Sequence, residues 1–294
     1  MKLLSVHAHF DDYEFFASGT FELCRRKNSP DFQARVVVCT DGQAGHQFRT
    51  RAETGKMRYN EQMASADIGK YELEMLRLPD GTVPREGCVM HTPVTMAAFW
   101  KAIRDFEPDY LFCPPLVADP LAGIHIDHVA VADAIRKVAY LINVPHAYTP
   151  EYPADETQSK PCQTPVILNV YDNYVCGSNT FDFAVDVEDA FDVMAAMSYC
   201  HQSQIMEWLP WVGCHQMSPP KNLDEWKQML RQRLMHRNRE LGIASDRAIE
   251  VFVVTAWGSI PSIEQIDRDF PNILWNYSCR EKLKAKLIRW GARN

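Results

Sequence analysis

Two short clusters in the chain hold nitrogen and oxygen donors at spacings that suit one metal ion. His7-Ala8-His9-Phe10-Asp11-Asp12 carries two imidazoles and two adjacent carboxylates. Far along the chain, His125-Ile126-Asp127-His128 carries two more imidazoles and another carboxylate. Such groups are costly to bury unless they bind something. A catalytic zinc takes three protein ligands and leaves a fourth position to water. His9, Asp12 and His128 supply two imidazoles and one carboxylate for that set, and iron or cobalt would accept the same donors. Asp11 then stands beside a ligand, where it can serve as general base on the metal-bound water. His125 precedes His128 by three residues, so at a helix start both face one site. Protonated, His125 would stabilise an oxyanion or give a proton to a leaving amine, and Asp127 would orient an imidazole. The plainer alternatives are surface or satisfied core histidines, with Asp12 capping a helix that begins near Glu14. Two clusters at two strand-to-helix junctions favour the metal.

Those junctions come from an alternation of apolar runs and helical segments. Lys2–Val6 reads as a strand and Glu14–Lys27 as the helix after it. Ala34–Cys39, with three valines, suits a strand covered on both faces. Arg51–Ile68 is helical, Leu73–Leu78 a strand, Thr92–Phe106 a helix, Tyr110–Cys113 a strand and Val129–Leu141 a helix. Pro145–Pro165 reads as a long loop of the kind that is often functional. Val166–Tyr171, Phe181–Val185 and Ala248–Thr255 look like strands; Val187–Tyr199, Asp224–Leu241, Ser262–Asp269 and Arg280–Trp290 look like helices. This order predicts a Rossmann-like α/β fold, with a mostly parallel sheet and helices on both faces. We read residues 1–294 as a single domain with a core over about 1–204 and a C-terminal elaboration, 205–294, packed on it.

Apolar content of 46% and charged content of 23% are those of a globular protein. A formal charge of −7 argues against nucleic acid or an anionic membrane as partner. No apolar run is long enough to span a membrane. The nine cysteines are scattered, without a C-x-x-C pair, so we expect reduced core thiols and a cytoplasmic protein. A homo-oligomer is compatible with the sequence.

The clusters also resemble a known family. His9-Phe10-Asp11-Asp12-Tyr13-Glu14-Phe15, followed by Ser18-Gly19-Thr20, is similar to the (A)HPDDxE(F)…GGT signature of the PIG-L/LmbE-like zinc-dependent deacetylases. His125-Ile126-Asp127-His128 resembles the family's H-x-D-H motif. In the same order come Thr40-Asp41-Gly42-Gln43-Ala44-Gly45 (TxGExG), Arg58-Tyr59-Asn60-Glu61 (R-x-x-E), Leu76-Arg77-Leu78-Pro79-Asp80-Gly81 (L-x-L-P-D-G) and His201-Gln202-Ser203-Gln204 (H-x-S-Q). The resemblance implies hydrolysis of an N-acetyl group, usually on an amino sugar such as an N-acetylglucosaminyl conjugate. It implies zinc on His9, Asp12 and His128, and Asp11 as the base. It further implies His125, oriented by Asp127, as acid or electrostatic partner, and Arg58 as a substrate contact.

Phe10 stands where the family usually has proline, Tyr13 and Phe16 are large, and Ser18 replaces a glycine. These departures bear on substrate shape. The aromatic stretch Trp208, Pro210, Trp211 and His215 would either wall the pocket or pack as core or lid. His46 either reaches the site or, as is expected, faces solvent, and Arg58 has an alternative as a helix-surface ion pair with Glu61 or a neighbour. Rival functions are an amidase on a larger conjugate, such as a thiol-sugar adduct, and a non-catalytic sugar- or nucleotide-binding protein.

Overall fold

The computed structural model describes residues 1–214 and 216–292. Its strands are β1 (Lys2–His7), β2 (Gln33–Val38), β3 (Glu72–Met75), β4 (Tyr110–Cys113), β5 (Val166–Val170), β6 (Phe183–Asp186) and β7 (Ile249–Val254). They form one sheet in the order β3-β2-β1-β4-β5-β7-β6. The five from β3 to β5 are parallel, and β7 runs antiparallel to both neighbours. The chain winds outward from β1 through β2 to β3, then returns to the other side of β1 as β4. That reversal opens a crevice at the carboxyl ends of β1 and β4, where ligands bind in open α/β sheets.

The helices are α1 (Asp12–Phe16), α2 (Ser18–Asn28), α3 (Arg51–Gly69), α4 (Pro93–Phe106), α5 (Ile126–Ala139), α6 (Phe191–Tyr199), α7 (Leu209–Val212), α8 (Leu223–Glu240), α9 (Ile263–Asp269) and α10 (Arg280–Arg289). They cover both faces, so the strands are apolar on both sides, and alternate residues enter different cores. Val36, Val38, Tyr110, Phe112, Val166 and Leu168 enter one core with α6, α8 and α10; Val37, Leu111 and Ile167 enter the other with α4 and α5. The expected architecture is present.

Local departures have identifiable causes. The helix expected over Glu14–Lys27 is broken at Ala17 (φ −144°, ψ −2°) into α1 and α2. The new N-terminus lacks a side-chain cap of its own; Glu250 of β7 accepts from Gly19 N (2.9 Å) and Thr20 N (2.8 Å) instead. The segment after residue 204 is therefore woven into the sheet through β7, beyond merely packing on it. α5 starts three residues earlier than expected because His125 serves as its N-cap, accepting at Nδ1 from Asp127 N (3.3 Å). α3 begins with a capping box between Thr50 and Glu53, which fixes the helix that carries Arg58 and Gln62 into the crevice. Ser203–Trp208 is a π-helix, a form frequent at functional sites and not expected from the sequence. Among the described residues no helix is long and apolar enough to cross a membrane. All nine cysteines are unpaired, and Cys24, Cys39, Cys113 and Cys162 are buried.

Candidate active site

β1 ends at His7, and the next residues turn across the crevice. Asp11 takes a left-handed conformation (φ 80°), held by its N–H donating to Gln62 Oε1 at 2.9 Å. Gln62 in turn donates to buried Glu14 (2.7 Å), which also accepts from Ser65 (2.5 Å) and Tyr71 (2.9 Å). Asp12 is the first residue of α1, not its cap; its Oδ2 accepts from His9 N at 2.9 Å. Phe10 packs its ring against the neighbouring loop at Gly42. At Gly42 (φ +61°) a Cβ would lie 2.4 Å from the Phe10 ring, so only glycine fits there.

The turn and the first residues of α5 meet. His9 Nδ1 lies 3.2 Å from His128 Nε2, His128 Nε2 lies 3.3 Å from Asp12 Oδ2, and His9 Nδ1 lies 3.6 Å from Asp12 Oδ2. Ligands about 2.0–2.1 Å from a tetrahedral ion stand ~3.3 Å apart, so the three atoms already have the separations of one coordination face. The second nitrogen of each imidazole is tied back, as in metal sites. His9 Nε2 contacts Asp127 Oδ2 at 3.1 Å, and His128 Nδ1 contacts Asp172 Oδ2 at 2.8 Å.

Burial disfavours charge on both imidazoles, yet the surrounding carboxylates outweigh it, lifting His9 to about 9 and His128 to about 10. Burial also opposes ionisation of Asp12, but His128 and His9 hold it well below the usual carboxylate range. Asp12, Asp127 and Asp172 thus form a buried anionic cage that calls for positive charge, which fits a divalent cation. His125 lies farther out: one nitrogen each of His9, His125 and His128 fall within 4.8 Å of one another. The His9, Asp12, His128 set is tighter and mixes donor types as catalytic zinc does.

The remaining expected residues take distinct positions. Burial pushes Asp11 up to about 6, against the pull of Arg58. Asp127 does not orient the His125 ring, as the resemblance implies; its buried carboxylate serves His9 and accepts from Gly87 N (2.6 Å). His125 Nδ1 is an acceptor from the backbone, so its neutral tautomer carries the proton on Nε2. Its ring is edge-on to His9, with centroids 4.5 Å apart. Arg58 lines the cavity but is 3% exposed and already engaged. It donates to Phe10 O (3.0 Å), Gly42 O (3.4 Å) and Glu86 Oε1 (3.2 Å), and stands 3.5 Å from Asp11 Oδ1. The ion pair with Glu61 is absent; Glu61 instead accepts from Ser203.

His46 does not face solvent: its side chain is 1% exposed and bonds Glu207 of the π-helix at 2.8 Å. Trp208 walls the cavity and stacks on Trp211, centroids 5.3 Å apart, while Pro210 is buried. His215 lies outside the described residues. The cavity, about 510 Å³, is bounded by the two histidine clusters, by Gly45 and Glu86, and by Tyr174, Trp208, Leu209, Val212 and Arg233. Asp172, Glu86 and Arg233 were not singled out in the sequence. Asp172 carried the one available signal, a carboxylate at the carboxyl end of a strand.

Residues 4–139 match the family model described as PIG-L: GlcNAc-PI de-N-acetylase. Among solved structures the chain is similar to the N,N'-diacetylchitobiose deacetylase from Pyrococcus horikoshii, at 18% identity and TM-score 0.65, covering 86% of this chain and 83% of that one. It is similar to GalB, the 4-carboxy-2-hydroxymuconate hydratase from Pseudomonas putida, at 18% identity and TM-score 0.59, covering 86% and 95%. It is also similar to a conserved protein from Thermus thermophilus, at 21% identity and TM-score 0.58, covering 86% and 93%. At these identities the likeness establishes the fold. No curated protein matches the chain.

Proposed function

We propose that this chain, which belongs to the PIG-L family through residues 4–139, is a hydrolase that removes an N-acetyl group from an amino-sugar conjugate. The observation that carries the reading is the convergence of His9, Asp12 and His128 within 3.2–3.6 Å, with Asp11 beside them. These three residues would hold zinc or another divalent transition metal. When bound, such an ion lowers the pKa of water and polarises a carbonyl.

The rest falls to the chain's own side chains. Asp11, fixed by Gln62 and flanked by Arg58, takes the proton of the attacking water. His125 offers Nε2–H to the oxygen on which charge develops. The proton gained by Asp11 then passes to the departing amine, and the acyl group leaves as acetate. Asp127 and Asp172 hold the tautomers of His9 and His128. Arg58 is assigned to the shape of the Asp11 turn, because most of its donors are taken. Trp208 gives a sugar ring an aromatic face to pack on.

The test is a screen of N-acetylated amino sugars with the zinc-loaded chain, reading acetate and free amine. Asp11→Asn should keep the metal and lose at least ~100-fold in kcat, as removal of a general base does, whereas His9→Ala should lose both. Full turnover in the Asp11 variant excludes the assigned base. Amine release without acetate would instead favour an amidase on a larger acyl conjugate.

A further inference from the structure

α8 carries four arginines; Arg239 is exposed and does not line the cavity, and the circumstances of the other three differ. Arg231 is bidentate on Glu188, at 2.6 and 3.0 Å. Arg237 is buried and donates to the carbonyls of Phe15 and Ile249. Arg233, one turn before Arg237, has no carboxylate within 4.0 Å and no hydrogen bond among the described residues. Its guanidinium lies over the Phe15 ring, 4.5 Å from the centroid, and borders the same cavity as Asp11, Asp12 and His125. It also borders the adjoining groove along Gln216–Pro219. Asn173 lines the cavity beside it, and its side-chain amide has no hydrogen-bond partner among the described residues either. The neighbouring carboxylates do not account for this cation. Asp12 is held by His9 and His128, and the nearest cation to Asp11 is Arg58, at 3.5 Å.

A guanidinium and an amide with open N–H groups on a cavity wall make a recess for an anion, because a guanidinium matches carboxylate or phosphate oxygens with two parallel hydrogen bonds. We infer that the substrate carries an anionic group, a carboxylate or a phosphate, which seats against Arg233 and Asn173 while its acyl amide faces His9, Asp12 and His128. This deepens the hydrolase reading of the same cavity and rests on it. Arg233 belongs to the segment after residue 204, so that segment supplies the selectivity, while the turn after β1 and the start of α5 supply the chemistry.

Three probes test it on the full, zinc-loaded chain: neutral N-acetylglucosamine, N-acetylmuramic acid (a carboxylate) and N-acetylglucosamine 6-phosphate. Affinity is read by calorimetric titration, and turnover by amine release. At least one acid should bind tenfold or more tightly than the neutral sugar. Which acid gains identifies the group. Arg233→Met keeps an unbranched side chain without the charge and should erase that gap, while Arg233→Lys should keep part of it. Equal affinity for all three sugars, no binding of either acid, or a gap that persists in Arg233→Met overturns the inference. An Arg233-dependent gap without amine release removes the hydrolase reading and leaves the anion seat. Equal amine release from neutral and acidic sugars does the reverse.

Discussion

Asp172 offers a sharp test of the metal cage, because it meets His128 on the nitrogen that faces away from the donor triangle. The contact is 2.8 Å between side chains 1% and 3% exposed, so water cannot take its place. Asp172→Asn keeps the size of the side chain and an oxygen able to accept from Tyr174 N, now 2.9 Å from Asp172 Oδ1. It removes the negative charge that orients and strengthens His128 as a donor. Loss of such a supporting carboxylate costs about 10–100-fold in metal affinity, or ~1.4–2.7 kcal/mol. The ligand triangle itself is untouched, so binding should weaken without disappearing, whereas His128→Ala removes a ligand and should abolish tight binding. The assay is competition for zinc against a chromogenic chelator, with thermal unfolding of the metal-free variant as the check on folding. A folded Asp172→Asn protein whose zinc affinity stays within twofold of the parent would refute the reasoning.

Zinc should raise the unfolding temperature of the chelator-treated chain, since a ligand held only by the folded state at a hundred times its Kd adds about 2.7 kcal/mol; no shift at any zinc concentration would count against the site. Gly42→Ala should destabilise by at least ~1–2 kcal/mol for a left-handed backbone, and the 2.4 Å approach to Phe10 adds to that cost; a calorimetric scan decides. The Arg231 hydrogen bonds hold Glu188 below its usual range of 4.5. A carboxylate lowered in the folded state adds stability above its unfolded pKa, and the gain is lost as pH falls through the folded value. Wild type should therefore exceed Glu188→Gln by up to ~1 kcal/mol at neutral pH, the size of a partly exposed pair. The gap should narrow as pH falls below 4.5 and close once it passes beneath the lowered folded value, read by urea unfolding across pH.

The strand-to-helix alternation and the two donor clusters were legible because each is local. Three consecutive valines mark β2 as a strand covered on both faces, and the apolar run before His7 marks β1. His9 and Asp12 sit three residues apart, so one turn of chain fixes their relation. What was hidden depends on pairs far apart in sequence. Asp172 reaches His128 across 44 residues, and Glu250 caps α2 from 231 residues away. Neither leaves a periodic trace. Asp127 shows the intermediate case: its type and place near the metal are readable, but which imidazole it serves depends on how α5 docks beside β1. The helix break at Ala17 follows the same logic, because the backbone donors it frees are met by Glu250, a residue outside the local window. The segment after 204 was least legible. Its aromatic residues read equally as packing, and only folding brings Trp208 and Arg233 to one cavity wall. A charge run such as Arg231, Arg233 and Arg237 reads as a solvated helix face until each partner is known. The members that find partners then become structural, and the one left without on the cavity wall is the residue to which function can be assigned.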